Sequence, residues 1–94
     1  MTFSLVLWHE LGDEINRLPG KVRRVIKPAL ERLEEDPFPG SKEDKEKLVL
    51  KGGVIIYQLH ISQRYTVFYE IDKEDKLVIV QEILTIEQAH KKYG

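Results

Sequence analysis

The chain contains no cysteine, and that absence removes a disulfide framework, a thiolate metal site and a cysteine nucleophile together. It also lacks a surplus of positive charge. The net charge of -1 is not the basic excess that proteins gripping a phosphate backbone ordinarily carry. Between residues 42 and 64, five basic side chains (Lys42, Lys45, Lys47, Lys51, Arg64) stand against three acidic ones (Glu43, Asp44, Glu46), so a local basic patch is permitted but not announced. Apolar runs such as residues 54–57 and 77–80 stop far short of the roughly 20 residues that a membrane helix needs. A basic leader and a small-residue cleavage site are missing as well, which makes a cytoplasmic location the default expectation. Repeats and low-complexity segments are absent too. With 94 residues there is room for one core, and a single domain spanning 1–94 is expected.

What is present is a series of amphipathic elements. Phe3 to Trp8 is rich in strand-favouring residues, and Leu11, Ile15 and Leu18 follow at helical spacing. Pro19-Gly20 interrupts that helix. Val22, Val25, Ile26, Ala29, Leu30 and Leu33 then mark a longer one by their i, i+3, i+4, i+7 rhythm. Pro28 lies inside it and predicts a kink or local break near Ile26 and Lys27. Pro37, Pro39 and Gly40 end the helix, and the alternating lysines and glutamates of residues 42–47 read as a charged loop. After Gly52-Gly53, three strands are expected at 54–61, 65–71 and 76–84, the last two joined by Asp72-Lys73-Glu74-Asp75. Thr85 is placed to cap a short helix over Ile86 to Tyr93.

Alternation assigns faces to these strands. Ile55, Tyr57, Leu59 and Ile61, with Tyr65, Val67, Tyr69 and Ile71, form apolar rows that predict the core face. Ile56, Gln58 and His60, with Arg64, Thr66, Phe68 and Glu70, share the other face, where function is sought. His60 is the main candidate, since imidazole titrates near neutrality and serves as base or acid without special tuning. As a lone strand histidine it fits a surface role equally. His90, Lys91, Lys92 and Tyr93 group an imidazole, two cations and a ring at the C-terminus, a set that suits phosphate and base contacts or an ordinary solvated helix end. Lys47, Lys51 and Arg64 are expected to border the polar face. Trp8, Phe38 and Tyr57 read as core or loop anchors. His9 reads as a structural or surface residue. No metal site is expected, because no two histidines lie at i, i+3 or i+4.

The segments Leu18-Pro19-Gly20-Lys21-Val22-Arg23 with Ile26, Leu30, Leu33 and Pro37, then Tyr57-Gln58-Leu59-His60-Ile61, Tyr65-Thr66-Val67-Phe68-Tyr69-Glu70-Ile71 and finally Tyr93 together resemble the RelE/ParE superfamily of toxins from type II toxin-antitoxin systems. The resemblance spans nearly the whole chain. It implies an α+β domain with an N-terminal strand, a helical hairpin, a three-stranded antiparallel meander completing a four-stranded sheet, and a short C-terminal helix. It further implies a ribosome-dependent mRNA endoribonuclease that inhibits translation without metal or cofactor. In that chemistry a ribose 2′-hydroxyl attacks the neighbouring phosphate, His60, His90 and Tyr93 are the catalytic candidates, and Lys47, Lys51, Arg64, Lys91 and Lys92 contact RNA. The partners implied are a cognate antitoxin protein, the ribosome and mRNA, with no membrane.

The chain departs from the RelE-like pattern where lysines of the first central strand become Gln58 and His60 and an arginine becomes Thr66. His60 and His90 are better matched by the YafQ-like branch, whose acidic residue between them is Arg64 here. The missing arginine predicts weakened activity. The alternative is a non-enzymatic interaction module of the same fold, acting through a protein target such as gyrase or keeping only antitoxin binding.

Overall fold

The structure is a computed structural model that describes residues 2–40 and 45–93. Strand β1 (Ser4–Leu7) is followed by helices α1 (Leu11–Arg17) and α2 (Gly20–Glu35). Strands β2 (Lys45–Val49), β3 (Ile55–Ile61), β4 (Tyr65–Asp72) and β5 (Leu77–Thr85) come next, and α3 (Ile86–Tyr93) closes the chain. The strands form one sheet in the order β1-β5-β4-β3-β2. β1 runs parallel to β5, and the other pairings are antiparallel. The α+β class, the first strand, the two consecutive helices, the meander and the last helix all agree with the sequence reading.

The sheet has five strands rather than four, because Lys45–Val49 is a strand and not the end of a charged loop. The remainder of that expected loop, Lys42 to Asp44, lies outside the described residues. A charged strand suits this place: β2 is at the sheet edge, where lysine and glutamate discourage pairing with another chain. Lys45 is nevertheless buried. Its stem covers the core while Nζ donates to the Asp36 carbonyl at 2.7 Å. The turn from β2 to β3 needs Gly52 and Gly53, whose φ values of 86° and 81° are open to glycine at little cost.

The helices α1 and α2 cover one face of the sheet. Leu11 and Ile15 of α1 and Ile26, Ala29, Leu30 and Leu33 of α2 meet Leu59, Ile61, Val67, Tyr69, Val78 and Val80 in one buried cluster. α2 runs unbroken through Pro28, without the expected local break. Pro28 is on the exposed side, where water can take up the Arg24 carbonyl that the proline leaves without a donor. Ile55, expected in the core, is 43% exposed at the sheet's end. Trp8, expected as an anchor, is 51% exposed where β1 runs out past the sheet.

The other face is not open, as its polar parity suggested. Ile56, Thr66 and Phe68 on that face are buried, and α3 folds back over β4 and β5, setting the ring of Tyr93 on Phe68. Two features of β5 bring this about. The ladder slips between Phe68 and Tyr69, so Tyr69 pairs with Val80 while Phe68 pairs with Glu82. Gln81 is thus the extra residue of a bulge, which reverses the alternation and moves Glu82 from the core side to the side of α3. The helix start is then fixed by a capping box: the Gln88 N–H donates to Thr85 Oγ1 at 3.2 Å and the Thr85 N–H to Gln88 Oε1 at 3.0 Å.

Candidate functional site

Folding α3 over the sheet creates a cleft of about 300 Å³ lined by Leu48, Gln58, His60, Thr66, Ile86, Ala89, His90 and Tyr93. His60 comes from the C-terminal end of β3, and His90 and Tyr93 come from the C-terminal half of α3. His60 therefore shares one space with two residues from the far end of the sequence. His60 is half-buried, and its Nδ1 lies 3.1 Å from the hydroxyl of Thr66, its partner directly across on β4. Thr66 is 1% exposed. His90 is exposed, and among the described residues its ring has no hydrogen-bond partner.

Tyr93 is held more firmly than its neighbours. Its ring packs on Phe68 with centroids 4.3 Å apart, and its hydroxyl donates to Glu82 Oε2 at 3.1 Å. Lys92 Nζ lies 2.7 Å from both oxygens of the same carboxylate. Glu82 thus clamps the end of α3 to β5. Burial, then the Glu82 charge, pushes the Tyr93 phenol above its ordinary value of 10.0, so the hydroxyl remains protonated near neutrality and is no phenolate base. The hydrogen bond to Glu82 raises Lys92 above 10.5.

Both shifts are upward, so with Glu82 ionised the stability they reflect is present below the ordinary values and is lost as pH rises through the raised ones. In a residue-resolved tyrosinate titration, Tyr93 is expected to ionise above its ordinary value. Glu82→Gln removes the part of the delay due to charge and leaves the part due to burial. An unchanged titration curve in that variant would mean that Glu82 does not hold Tyr93.

The remaining candidates are scattered. Lys47 pairs with Tyr57 and so stands on the face of α1 and α2, not on the polar face where it was expected. There it contributes to a separate hollow of about 540 Å³ with Ile55, Tyr57, Glu70 and Lys73. Lys51 sits in the turn before β3, and at ~3.3 Å per residue roughly 17 Å of strand separates Ile55 from His60. Arg64 is at the correct end of β3 but lines a neighbouring hollow with Tyr65, Thr85 and Glu87. Its carbonyl accepts from the Ile86 N–H at 2.9 Å and so anchors the start of α3. Lys91 is exposed. His9 is remote from the cleft, packed on Trp8 in a turn with φ of 31°.

Sequence reasoning missed Glu82 and the role of Phe68. The signal was the broken alternation of β5, where Val78 and Val80 are followed by Ile83 on the core side rather than by residue 82.

This fold is that of RelE toxins. The archaeal RelE–RelB complex from Pyrococcus horikoshii OT3 matches with a TM-score of 0.73 over 90% of this chain and 96% of that one, at 24% identity. A RelBE toxin-antitoxin complex from Mycobacterium tuberculosis matches with 0.71 over 90% and 99%, at 15% identity. The RelB–RelE antitoxin-toxin complex from Methanococcus jannaschii gives 0.65 over 95% and 99%, at 18% identity. No family model and no curated protein sequence matches the chain. Among the described residues no helix is long and apolar enough to cross a membrane.

Proposed function

We propose that this chain is the toxin of a toxin-antitoxin pair and acts as a metal-independent, ribosome-dependent mRNA endoribonuclease. The observation that carries the reading is the cleft in which His60, His90 and Tyr93 converge on a RelE fold. Cleavage by a ribose 2′-hydroxyl needs a group to take its proton and a donor for the charge that builds on the phosphate. Two imidazoles reaching one cleft from different elements meet that need. The hydroxyl of Tyr93 is spent on Glu82, so its part is to place a ring beside the substrate. The antitoxin partner is proposed by analogy with the neighbours, which were solved with antitoxins.

One observation favours a non-enzymatic interaction module instead. The cations are drawn away from the cleft, since Lys92 is paired with Glu82 and Lys47 and Lys51 lie elsewhere. A gyrase-directed or catalytically silent member needs no phosphate grip.

Induced expression in a bacterial host separates the two. The wild type is expected to arrest growth and leave new in-frame 5′ ends in mRNA, and His60→Ala to cut at least about 100-fold less while remaining folded and antitoxin-competent. Growth arrest that survives His60→Ala without RNA cuts would establish the interaction module.

A further inference from the structure

Thr66 occupies the place where the resemblance expects an arginine, and its hydroxyl is at once buried and singly partnered. It is 1% exposed, and among the described residues His60 Nδ1 is the only group within hydrogen-bonding reach of Oγ1. A buried hydroxyl proton without an acceptor is costly. Donation from the hydroxyl to Nδ1 satisfies that proton, whereas the reverse direction leaves it without an acceptor among the described residues. An imidazole nitrogen that accepts a hydrogen bond carries no proton, so neutral His60 has its proton on Nε2. Nδ1 is held against the sheet, which leaves Nε2–H as the polar edge that the ring offers to the cleft.

We propose that Thr66 is a positioning residue that fixes His60 as the Nε2–H tautomer, and that His60 serves as a neutral hydrogen-bond donor to a phosphoryl oxygen while His90 is the base. This rests on the endoribonuclease reading above. A neutral imidazole cannot surrender its remaining proton at ordinary pH, so His60 polarises and does not protonate. Protonating Nδ1 would place two hydrogens between it and Oγ1 and force the Thr66 hydroxyl to turn away from its acceptor.

The reaction then balances as follows. The 2′-oxygen bonds to phosphorus as its proton passes to the unpartnered ring of His90. The bond from phosphorus to the 5′-oxygen breaks, its electron pair leaves with that oxygen, and water supplies the proton that makes the 5′-hydroxyl, the hydroxide so formed taking back the proton held by His90 and restoring its neutral ring. A 2′,3′-cyclic phosphate remains. The Nε2–H of His60 takes over the electrostatic task of the missing arginine with a dipole in place of a charge.

The test begins with the protein alone. Long-range ¹H–¹⁵N spectra of the neutral imidazole are expected to show His60 with the proton on Nε2 and Nδ1 as a hydrogen-bonded acceptor. In Thr66→Val the Nδ1 signal should move toward that of an unbonded nitrogen, and Thr66→Ser should restore it. On programmed ribosomes, Thr66→Val should lower kcat by up to about 100-fold through lost orientation with KM little changed, and Thr66→Ser should recover most of it. A proton on Nδ1 in the wild type, or an Nδ1 signal indifferent to Thr66→Val, would overturn the proposal. Protein that shows the expected tautomer but cuts no RNA overturns the nuclease reading, and with it the catalytic role of His60, while the coupling of Thr66 to His60 stands.

Discussion

Tyr69→Ala is expected to leave the protein largely unfolded or close to it, with a loss of about 3–5 kcal/mol from the emptied ring volume alone. Tyr69 is 0% exposed and lies at the centre of the cluster under α1 and α2. Its ring stacks on Tyr57 with centroids 5.6 Å apart, and its hydroxyl donates to the Pro37 carbonyl at 2.7 Å. That bond fastens the segment leaving α2 onto the sheet, and its loss orphans a carbonyl in a fully buried place, which costs about 1–3 kcal/mol more. Domains of this size are stable by roughly 5–15 kcal/mol in total. Urea and thermal unfolding would check the expectation. A fall in Tm of more than about 12 °C corresponds to the lower bound. Tyr69→Phe separates the terms, because it keeps the ring and removes only the hydroxyl. A loss below 1 kcal/mol for Tyr69→Ala would show that the ring does not organise this core.

Much of this core could be read from the chain. The spacing of Val22, Ile26, Ala29, Leu30 and Leu33 defines a helix face without ambiguity, and Leu59, Ile61, Val67 and Tyr69 keep strict alternation on two adjacent strands. The cap at Thr85 was equally legible, since a threonine followed by glutamine three residues later is a helix start in its own right. Strand β2 was not legible. Its sequence, Lys45-Glu46-Lys47-Leu48-Val49, carries the charges of an edge, and its one buried lysine, Lys45, satisfies itself through a backbone carbonyl that only the tertiary structure brings near.

The site was legible as a set of residue types and not as a geometry. His60 and His90 could be singled out, but only the return of α3 over the sheet places them around one cleft, and that return depends on the bulge at Gln81. A bulge changes which face a side chain serves without changing which side chain it is. The same step turned the supposed polar face into a second small core. It also turned Tyr93 from a free hydroxyl into a clamped one.

Phe68→Ala tests that second core, and the expected result is local where that of Tyr69→Ala is global, although the two residues are chain neighbours. Phe68 is 0% exposed, and it meets α3 through the ring of Tyr93. Removing it should weaken packing by about 3–5 kcal/mol if the helix stayed in place. The helix has a cheaper course. It is eight residues long with no fully buried side chain, and a helix so short is marginal in water without a surface to rest on. Undocking should therefore cap the loss of global stability below that of Tyr69→Ala, because β4 and the core beneath α1 and α2 remain intact. Hydrogen exchange is expected to lose protection over 86–93 and to keep it in the strands. His90 would leave His60 at the same time, so cleavage should fall about as far as in His60→Ala, by 100-fold or more. An α3 that stays protected in Phe68→Ala would mean that the Glu82 clamp and the Thr85 cap hold the helix by themselves, and cleavage should then survive in proportion.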